Sequence, residues 1–257
     1  MENEINKVKK TDLKAMVRQS LTEYISGLDL SKSNKLPREE ELCTLLGVSR
    51  ITLRSVLEEL SAEGVISRRQ GKGTFVNMHS MDIKVSFNPV MHFSDMIRNS
   101  GYTPRIRILQ YTMESAGEPE AEALKIESGE MVLVCEKVFY ADDKICAYTK
   151  DYVPAKMIPQ ERLKAVKDYE DSLFRFLAEQ CGIQIVSDRV EIDVIETADV
   201  PALKRQLEKE HMAQKPYLLL RGVNFDADER RIMYALEYID TGIIRFNQIR
   251  RRSLMLD

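Results

Sequence analysis

Two arginines, Arg50 and Arg54, stand four positions apart in a segment whose apolar residues repeat at helical spacing. Leu53, Val56 and Leu57 would form one buried stripe of that helix, which leaves the two arginines on its exposed face. A guanidinium group can donate two parallel hydrogen bonds to the O6 and N7 atoms of guanine. The residue types and their spacing therefore predict a helix that reads base edges in the major groove of double-stranded DNA.

A second basic cluster follows, at the tip of a hairpin predicted from two short strands at 65–67 and 74–76. The tip consists of Arg68, Arg69, Gln70, Gly71, Lys72 and Gly73. Glycine lets the backbone approach the floor of a narrow groove, and the cationic side chains can neutralise phosphates. The hairpin is therefore predicted to be a wing that contacts the minor groove and the DNA backbone.

The elements around these clusters have clear start and stop signals. Pro37 suits the first turn of a helix that runs to about residue 46, Gly47 ends it, and Ser49 is a good N-cap for the next helix. An amphipathic helix at about 13–25 precedes them and closes the core. An ordinary three-helix domain with a solvated hairpin would share some of these features. Helix, turn, helix and wing in this order favour DNA binding.

Residues 11–77 resemble the winged helix-turn-helix of the GntR family of bacterial transcription regulators. The resemblance is carried by Leu36-Pro37, Gly47-Val48-Ser49-Arg50, Thr52-Leu53-Arg54, Val56-Leu57, Leu60, Gly64-Val65-Ile66 and Gly71-Lys72-Gly73-Thr74-Phe75-Val76. It implies DNA contacts at Arg38, Ser49, Arg50, Thr52, Arg54, Arg68, Arg69, Gln70, Gly71, Lys72, Gly73 and Thr74.

One departure from the family pattern concerns a phosphate contact. Members of the family often have Ser-Glu-Arg after Leu-Pro, whereas this chain has Arg38-Glu39-Glu40. A carboxylate at position 40 cannot hold a phosphate as the arginine does. Two alternatives stay open: Arg38 takes over the contact, or the phosphate register changes and binding is weaker.

The chain beyond residue 90 alternates strands and helices, which is typical of an α+β sheet domain. Residues 78–90 interrupt the periodicity and are predicted to link a domain of residues 1–77 to a domain of residues 91–257. The predicted strands lie at about 105–114, 131–140, 145–153, 183–196, 217–225, 231–240 and 244–252. The predicted helices lie at about 92–99, 118–125, 159–167, 172–181 and 199–211.

From about Pro89 to Arg250 this order resembles the UTRA effector domain of the HutC branch of the same family. The residues that carry the resemblance are Ala141-Asp142, Tyr152-Val153-Pro154, Ser172-Leu173-Phe174, Gly182-Ile183, Pro216 and Arg245-Phe246. It implies an α+β protein in which an N-terminal winged helix-turn-helix is joined to a C-terminal antiparallel-sheet domain of the chorismate-lyase-like fold. It also implies a homodimer and a small-molecule effector.

The effector contacts that the resemblance implies are Ser94, Lys137, Phe139, Thr149 and Tyr234. On the sequence alone Ser94 is better interpreted as a helix cap, and each of the others has the alternative of being an ordinary sheet residue. Where sugar-phosphate-binding relatives carry an Arg-x-Arg pair, this chain has Lys137-Val138-Phe139, and Thr149 and Met233 stand in place of two glutamates. Losing the bidentate guanidinium contact predicts a less charged or more apolar effector.

These features favour a sequence-specific transcription regulator, expected to be a repressor that binds a near-palindromic operator as a homodimer. The alternatives are a lyase-like enzyme with an accessory DNA-binding domain and an architectural DNA-binding protein without a ligand. The chain has no GxSxG or HExxH motif, so no catalytic residue is predicted. A resemblance in fold alone is not evidence for the enzyme alternative.

The composition excludes few other classes of protein. The net charge of -3 does not by itself indicate a nucleic-acid partner. The four cysteines form no CxxC pair and are expected to be buried and reduced, so neither a metal nor a cofactor is predicted. No apolar stretch approaches the length of a membrane span and the first residues do not read as a signal peptide, so a cytoplasmic protein is expected.

Overall fold

The computed structural model describes residues 10–29, 32–77, 85–87, 91–169 and 172–248. The chain divides into two compact units, one of Met1–Val90 with Phe246–Asp257 and the other of Met91–Arg245. The described part of the first unit is helical with a small hairpin, and the second unit is built on an antiparallel sheet. The predicted class, a winged helix-turn-helix joined to an antiparallel-sheet α+β domain, is confirmed.

The described part of the first unit consists of helices α1 (Lys10–Ser26), α2 (Glu39–Leu46) and α3 (Arg50–Ala62) and strands β1 (Ile66–Arg69) and β2 (Gly73–Val76). All of them contribute to one core. Its buried members are Val17, Leu21, Ile25, Leu36, Leu42, Leu53, Val56, Leu57, Leu60, Ile66 and Val76. Burying one such side chain stabilises a fold by about 1.5–3 kcal/mol. The buried residues of α3 therefore hold this helix in one orientation against the core.

The turn between α2 and α3 is set by a glycine and a serine. Gly47 has a φ of 65°, which glycine adopts without strain, and its N–H donates to the carbonyl of Cys43 to end α2. Ser49 begins α3, and its hydroxyl oxygen accepts a hydrogen bond from the backbone N–H of Thr52 at 3.2 Å. Gly47 therefore ends α2 and Ser49 begins α3 two residues later.

Strands β1 and β2 form an antiparallel hairpin in which Ile66 faces Val76. Residues 34–36 run beside β2. Val76 donates its backbone N–H to the carbonyl of Asn34 at 2.7 Å, and Leu36 donates to the carbonyl of Thr74 at 2.9 Å. The hairpin is therefore restrained on its β2 side by the residues that lead into α2.

Part of the segment predicted as a linker packs within the first unit. Val85 is buried and forms a parallel bridge with Phe246, and Asn247 donates its backbone N–H to Val85 at 2.9 Å. The rings of Phe87 and Phe246 stack with 4.4 Å between their centroids. The rest of that segment lies outside the described residues.

The second unit contains strands β3 (Pro104–Ser115), β4 (Met131–Ala141), β5 (Lys144–Pro154), β6 (Ile185–Glu196), β7 (Pro216–Asp226) and β8 (Arg231–Ile239). They form a six-stranded sheet in the order β3-β4-β5-β8-β7-β6. Every neighbouring pair is antiparallel. Since β8 lies between β5 and β7, residues far apart in the chain become cross-strand neighbours, and β6 is left at an edge.

The two faces of this sheet are covered by different helices. We call face A the side that carries Leu133, Cys135, Lys137 and Phe139 of β4, and face B the side that carries their even-numbered neighbours. Helices α4 (Phe93–Asn99) and α6 (Leu173–Cys181) pack on face A. Helices α5 (Glu118–Leu124) and α7 (Pro201–Lys209) pack on face B. Face A and face B therefore present two separate environments.

Two predicted elements differ from those observed. The helix predicted at 159–167 is a run of 3-10 turns over Gln160–Asp168, in which Val166 alone is buried and no side chain caps the start. Without a continuous apolar stripe or a cap, the segment follows tighter turns. The strand predicted at 244–252 is wrong over its described part, where Phe246 forms only an isolated bridge.

Within the part of the chain that the structure describes, no helix is both long and apolar enough to cross a membrane.

Candidate nucleic-acid interface and ligand site

The outer face of α3 presents arginine and isoleucine side chains to solvent. Arg50 and Arg54 are exposed, as predicted, and Ile51 is 83% exposed. Sequence reasoning missed Ile51, although the residue falls outside the stripe that is buried against the core. An apolar side chain in this position can contact the methyl group of thymine, while the arginines can donate to guanine. The helix therefore offers two kinds of base contact.

Three arginines of the predicted interface are held by glutamates of α2. Glu39 accepts a hydrogen bond from Arg54 Nε at 2.8 Å and another from Arg68 at 2.5 Å, which connects the helix to the hairpin. Glu40 accepts one from Arg50 at 2.7 Å. The bond from Arg54 lowers the pKa of the Glu39 carboxyl, and the same bond raises the pKa of Arg54. DNA must therefore compete with internal carboxylates for these guanidinium groups.

Glu40 stands at the position where the sequence departs from the family pattern, and its ion pair with Arg50 gives that departure a structural consequence. The neighbouring Arg38 occupies the N-cap position of α2 without a side-chain capping bond and is exposed. It forms no ion pair with any residue in the described ranges. Arg38 is therefore available for a phosphate.

A groove of about 480 Å³ lies between the hairpin and the residues that lead into α2. It is lined by Lys35, Leu36, Pro37, Arg38, Glu39, Arg68, Arg69, Gln70, Gly71, Lys72, Gly73 and Thr74. Gly71 and Gly73 have φ values of 71° and 111°, in the left-handed region that other residues rarely adopt. A basic rim around a glycine tip suits a sugar-phosphate backbone.

Most of the predicted DNA contacts either pair with Glu39 or Glu40 or line the groove. Two predicted positions serve local structure as well: the hydroxyls of Ser49 and Thr52 are 2.9 Å apart at the start of α3. Thr74 is only 9% exposed, so its side chain has little access to a partner. Lys35, which lines the groove and lies over the ring of Phe75, was missed.

In the second unit, the predicted effector contacts fall on both faces of the sheet. Lys137 faces Thr149 across β4 and β5, and Phe139 lies on the same face, where its ring stacks on Phe93 of α4 with 4.7 Å between centroids. Tyr234 instead faces Tyr152 on face B, in the cluster that packs against α5. The structure therefore brings Lys137, Thr149 and Phe139 together and places Tyr234 on the opposite side of the sheet.

Two carboxylates that sequence reasoning missed lie beside Lys137 and Thr149. Glu237 faces Thr149 across β5 and β8, and Asp151 is the next residue of β5 on the same face. Burial raises the pKa of Asp151 to about 6, against the opposing effect of the Lys137 charge. Burial, with the nearby negative charges of Asp151 and Asp188, raises the pKa of Glu237 to about 8. The four side chains form one polar patch, which we call the face A cluster.

Ser94 lies in an open groove of about 700 Å³ between α4, β3 and α6. Ile106 in this groove is the cross-strand partner of Phe139, so the groove is on face A. The N-cap position of α4 belongs to His92, and the interpretation of Ser94 as the helix cap is therefore wrong.

The four cysteines are free, with Cys135 and Cys146 buried as predicted and Cys43 and Cys181 only partly buried. Burial raises the pKa of both Cys135 and Cys146 to about 12, which keeps them as thiols. Over the described ranges, no group of three or more histidine, cysteine or acidic side chains could hold a metal ion.

The first unit is a winged helix-turn-helix with exposed arginines, and the second is a sheet unit with polar groups on one face. Together these features define a DNA-binding regulator with a ligand-binding domain. The family description "Bacterial regulatory proteins, gntR family" matches residues 13–76, and the UTRA domain matches residues 99–242. The chain belongs to the gntR family of bacterial regulatory proteins and carries a UTRA domain, as the sequence resemblance implied.

Relatives of known name agree with this assignment. The chain is 33% identical over 155 residues to the HTH-type transcriptional regulator YurK of Bacillus subtilis (strain 168), and the match spans 63% of that protein. It is 30% identical over 182 residues, 71% of this chain and 73% of the relative, to the "Probable fructoselysine utilization operon transcriptional repressor" of Escherichia coli (strain K12). It is 26% identical over 217 residues, 84% of this chain and 82% of the relative, to the transcriptional regulator GgaR of the same strain.

Solved structures support the fold. The possible transcriptional regulator YydK of Bacillus subtilis has a TM-score of 0.69 at 17% identity, covering 93% of this chain and 99% of that one. PhnF of Mycobacterium smegmatis has a TM-score of 0.55 at 21% identity, covering 92% of this chain and 100% of that one.

Proposed function

We propose that this regulator is a repressor that binds a near-palindromic operator as a homodimer. A small-molecule effector in its UTRA domain weakens or strengthens this DNA binding. The observation that carries the proposal is the exposed face of α3, with Arg50, Ile51 and Arg54, beside the glycine-tipped basic hairpin. Repression is supported by the name of the 30%-identical relative from Escherichia coli.

In this proposal α3 enters the major groove, where Arg50 and Arg54 read base edges, and the hairpin follows the adjacent backbone. Two α3 helices of a dimer would lie in successive major grooves, about 34–36 Å apart. Glu39 and Glu40 keep the arginines in place until base edges or phosphates replace them. The site of action would be the cytoplasm, where bacterial operators are.

A second copy of the chain is the partner that we propose for the edge of the sheet. Val190, Ile192 and Val194 alternate along β6, are exposed, and lie on the same face of this edge strand. An exposed apolar edge strand is a template for pairing with another chain, and a two-fold axis would bring the same stripe from both copies together. Replacing Ile192 with Asp should lower the mass measured by light scattering to that of one chain. Arg189→Asp, on the other face of β6, is the control that should leave the mass unchanged.

The UTRA domain is proposed to bind its ligand without converting it. An effector can regulate DNA affinity only by binding the DNA-competent and the incompetent states with different affinity, typically worth about 1–3 kcal/mol of coupling. The polar face A cluster and the groove at Ser94 are the described places where such a ligand could be held.

The decisive experiment is a mobility-shift measurement with DNA from the promoter region of the protein's own gene, at physiological salt, against competitor DNA of random sequence. We expect specific binding, and a change in affinity when a metabolite extract of the producing cells is added. Arg54→Ala should lower the preference for the specific DNA, whereas Arg189→Ala, an equal loss of charge in the second unit, should not. Equal affinity for promoter and random DNA would refute the proposed function.

A further inference from the structure

The face A cluster places a lysine, a threonine and two carboxylates side by side on one face of the sheet. Lys137, Thr149 and Glu237 form a row across β4, β5 and β8, and directly opposite residues in such a row have Cβ atoms roughly 4.5–5.5 Å apart. Asp151 is the diagonal neighbour of both Lys137 and Glu237. Strand register alone therefore brings these four side chains together.

None of the four side chains has a hydrogen bond or an ion pair within 4 Å among the residues that the structure describes. Lys137 is only 3% exposed, yet its ammonium group forms no hydrogen bond and no ion pair within 4 Å in the described chain. The same holds for the hydroxyl of Thr149 and for the carboxylates of Asp151 and Glu237. Buried polar groups in proteins are almost always paired, and an unpaired charge is costly, so the cluster requires an explanation other than packing.

The cluster is not sealed from water. In the described part of the chain, none of its polar atoms is both fully enclosed and without a hydrogen bond. Because they lack hydrogen bonds, each of them keeps some surface that a water molecule can reach. Asp151 and Glu237 are correspondingly half-buried rather than buried. The stacked rings of Phe93 and Phe139 lie beside Lys137 on the same face and supply an apolar wall.

The balance of charge in the cluster favours a cation. One ammonium group stands beside two carboxyl groups, and Asp188 of β6 adds a third negative charge near Glu237. Burial raises the pKa of both carboxyl groups, and the Lys137 charge opposes this shift only at Asp151. A ligand that brings a second positive charge would favour the ionised form of both carboxylates.

We propose that the UTRA domain takes an effector that bears a protonated amine, with the carboxylates of Asp151 and Glu237 as its acceptors. Lys137 and Thr149 face the hydroxyl or anionic part of the same molecule, and the Phe93 and Phe139 rings cover its carbon skeleton. This inference rests on the proposed function, because it names the class of ligand that the regulator senses. It replaces the expectation of a less charged effector, which considered the lost arginines but not Asp151 and Glu237.

The test uses the full-length protein, its promoter DNA and one metabolite extract in two forms. Half of the extract is treated with N-acetoxysuccinimide, which converts amines to neutral amides, and then with hydroxylamine to restore acetylated hydroxyls. The other half receives hydrolysed N-acetoxysuccinimide and then the same active hydroxylamine, so that only the acetylation differs. We expect the amine-acetylated half to need at least a tenfold higher concentration to change DNA binding. Equal potency of the two halves would overturn the proposal.

Two variants assign the effect to the cluster. Asp151→Asn and Glu237→Gln keep the shape of each side chain and remove the negative charge, and each should shift the concentration for half response at least tenfold. Glu191→Gln is the matched control, because it removes the same charge from the edge strand β6 on the opposite face of the sheet. Melting curves identify any variant that fails to fold, in which case the other variant decides. Normal responses of folded Asp151→Asn and Glu237→Gln proteins would overturn the assignment.

The two proposals fail in different ways. If the protein binds the promoter DNA specifically and the acetylated extract changes this binding as strongly as the control extract does, the proposed amine ligand is wrong. The proposed function as a regulator then still stands. If the promoter DNA is bound no better than random DNA, or no extract changes its binding, the proposed function fails and the ligand class falls with it.

Discussion

Replacing Glu40 with Arg should strengthen DNA binding and steepen its dependence on salt. In the free protein Glu40 holds Arg50 at 2.7 Å, and their side chains are 73% and 62% exposed. Ion pairs as exposed as this one contribute about 0.2–1 kcal/mol, so releasing Arg50 should raise the affinity about 1.4- to fivefold. The gain is expected for any DNA sequence that Arg50 can contact.

The new arginine should add a second effect, because it can take the phosphate contact for which Glu40 is unsuited. Each neutralised phosphate changes the slope of log K against log salt by about -0.9. Between 50 and 200 mM salt, the Glu40→Arg variant should therefore lose about 3.5-fold more affinity than the unmodified protein. Glu40→Gln, which releases Arg50 without adding a charge, should show the gain in affinity with an unchanged slope.

Fluorescence anisotropy with a labelled operator, measured at four salt concentrations, separates the two effects. Glu41→Arg is the matched control, since it makes the same change of charge at the next position of α2, where the side chain is exposed. If Glu40→Arg has the affinity and the salt slope of the unmodified protein, Glu40 does not restrain Arg50 and no phosphate lies within its reach.

Three further changes test the fold and the face A cluster. Ser49→Ala removes the hydroxyl that accepts from Thr52 and should lower the free energy of unfolding by about 1 kcal/mol in a urea titration followed by circular dichroism; an unchanged midpoint would contradict the capping role. Leu57→Ala, at a fully buried position of α3, should cost about 2–5 kcal/mol in the same assay, and a loss under 1 kcal/mol would show that the core is not packed there. Because Glu237 has a folded-state pKa of about 8 against an ordinary 4.5, the folded state binds more protons than the unfolded state between these values, and stability should fall as pH rises through that window. Glu237→Gln cannot ionise, so its melting temperature relative to the unmodified protein should rise from pH 5 to pH 8, and parallel curves would show that Glu237 ionises normally.

Local physics was enough to predict most elements of both units. The N-cap at Ser49, the stop at Gly47 and the apolar stripe of α3 involve residues close together in the chain, and the structure shows all three. The bounds of the six strands of the sheet also agree to within a few residues, because alternation and turn residues are local signals, whereas the strand predicted at 244–252 was wrong. The prediction of a helix at 159–167 was wrong because these local signals are weak there.

Sequence alone determined most of the side chains that the helix-turn-helix and its wing expose, since helix period and turn type are local, and the DNA contacts of these residues stay a prediction. Only the tertiary structure decided what those residues do in the free protein: Glu39 reaches Arg68 across 29 positions of the chain, a contact that no periodicity predicts. The same holds for the face A cluster, because β8 inserts beside β5 and brings Glu237 opposite Thr149. Register between distant strands depends on the packing of the whole sheet, and it also placed Tyr234 on the side away from Lys137.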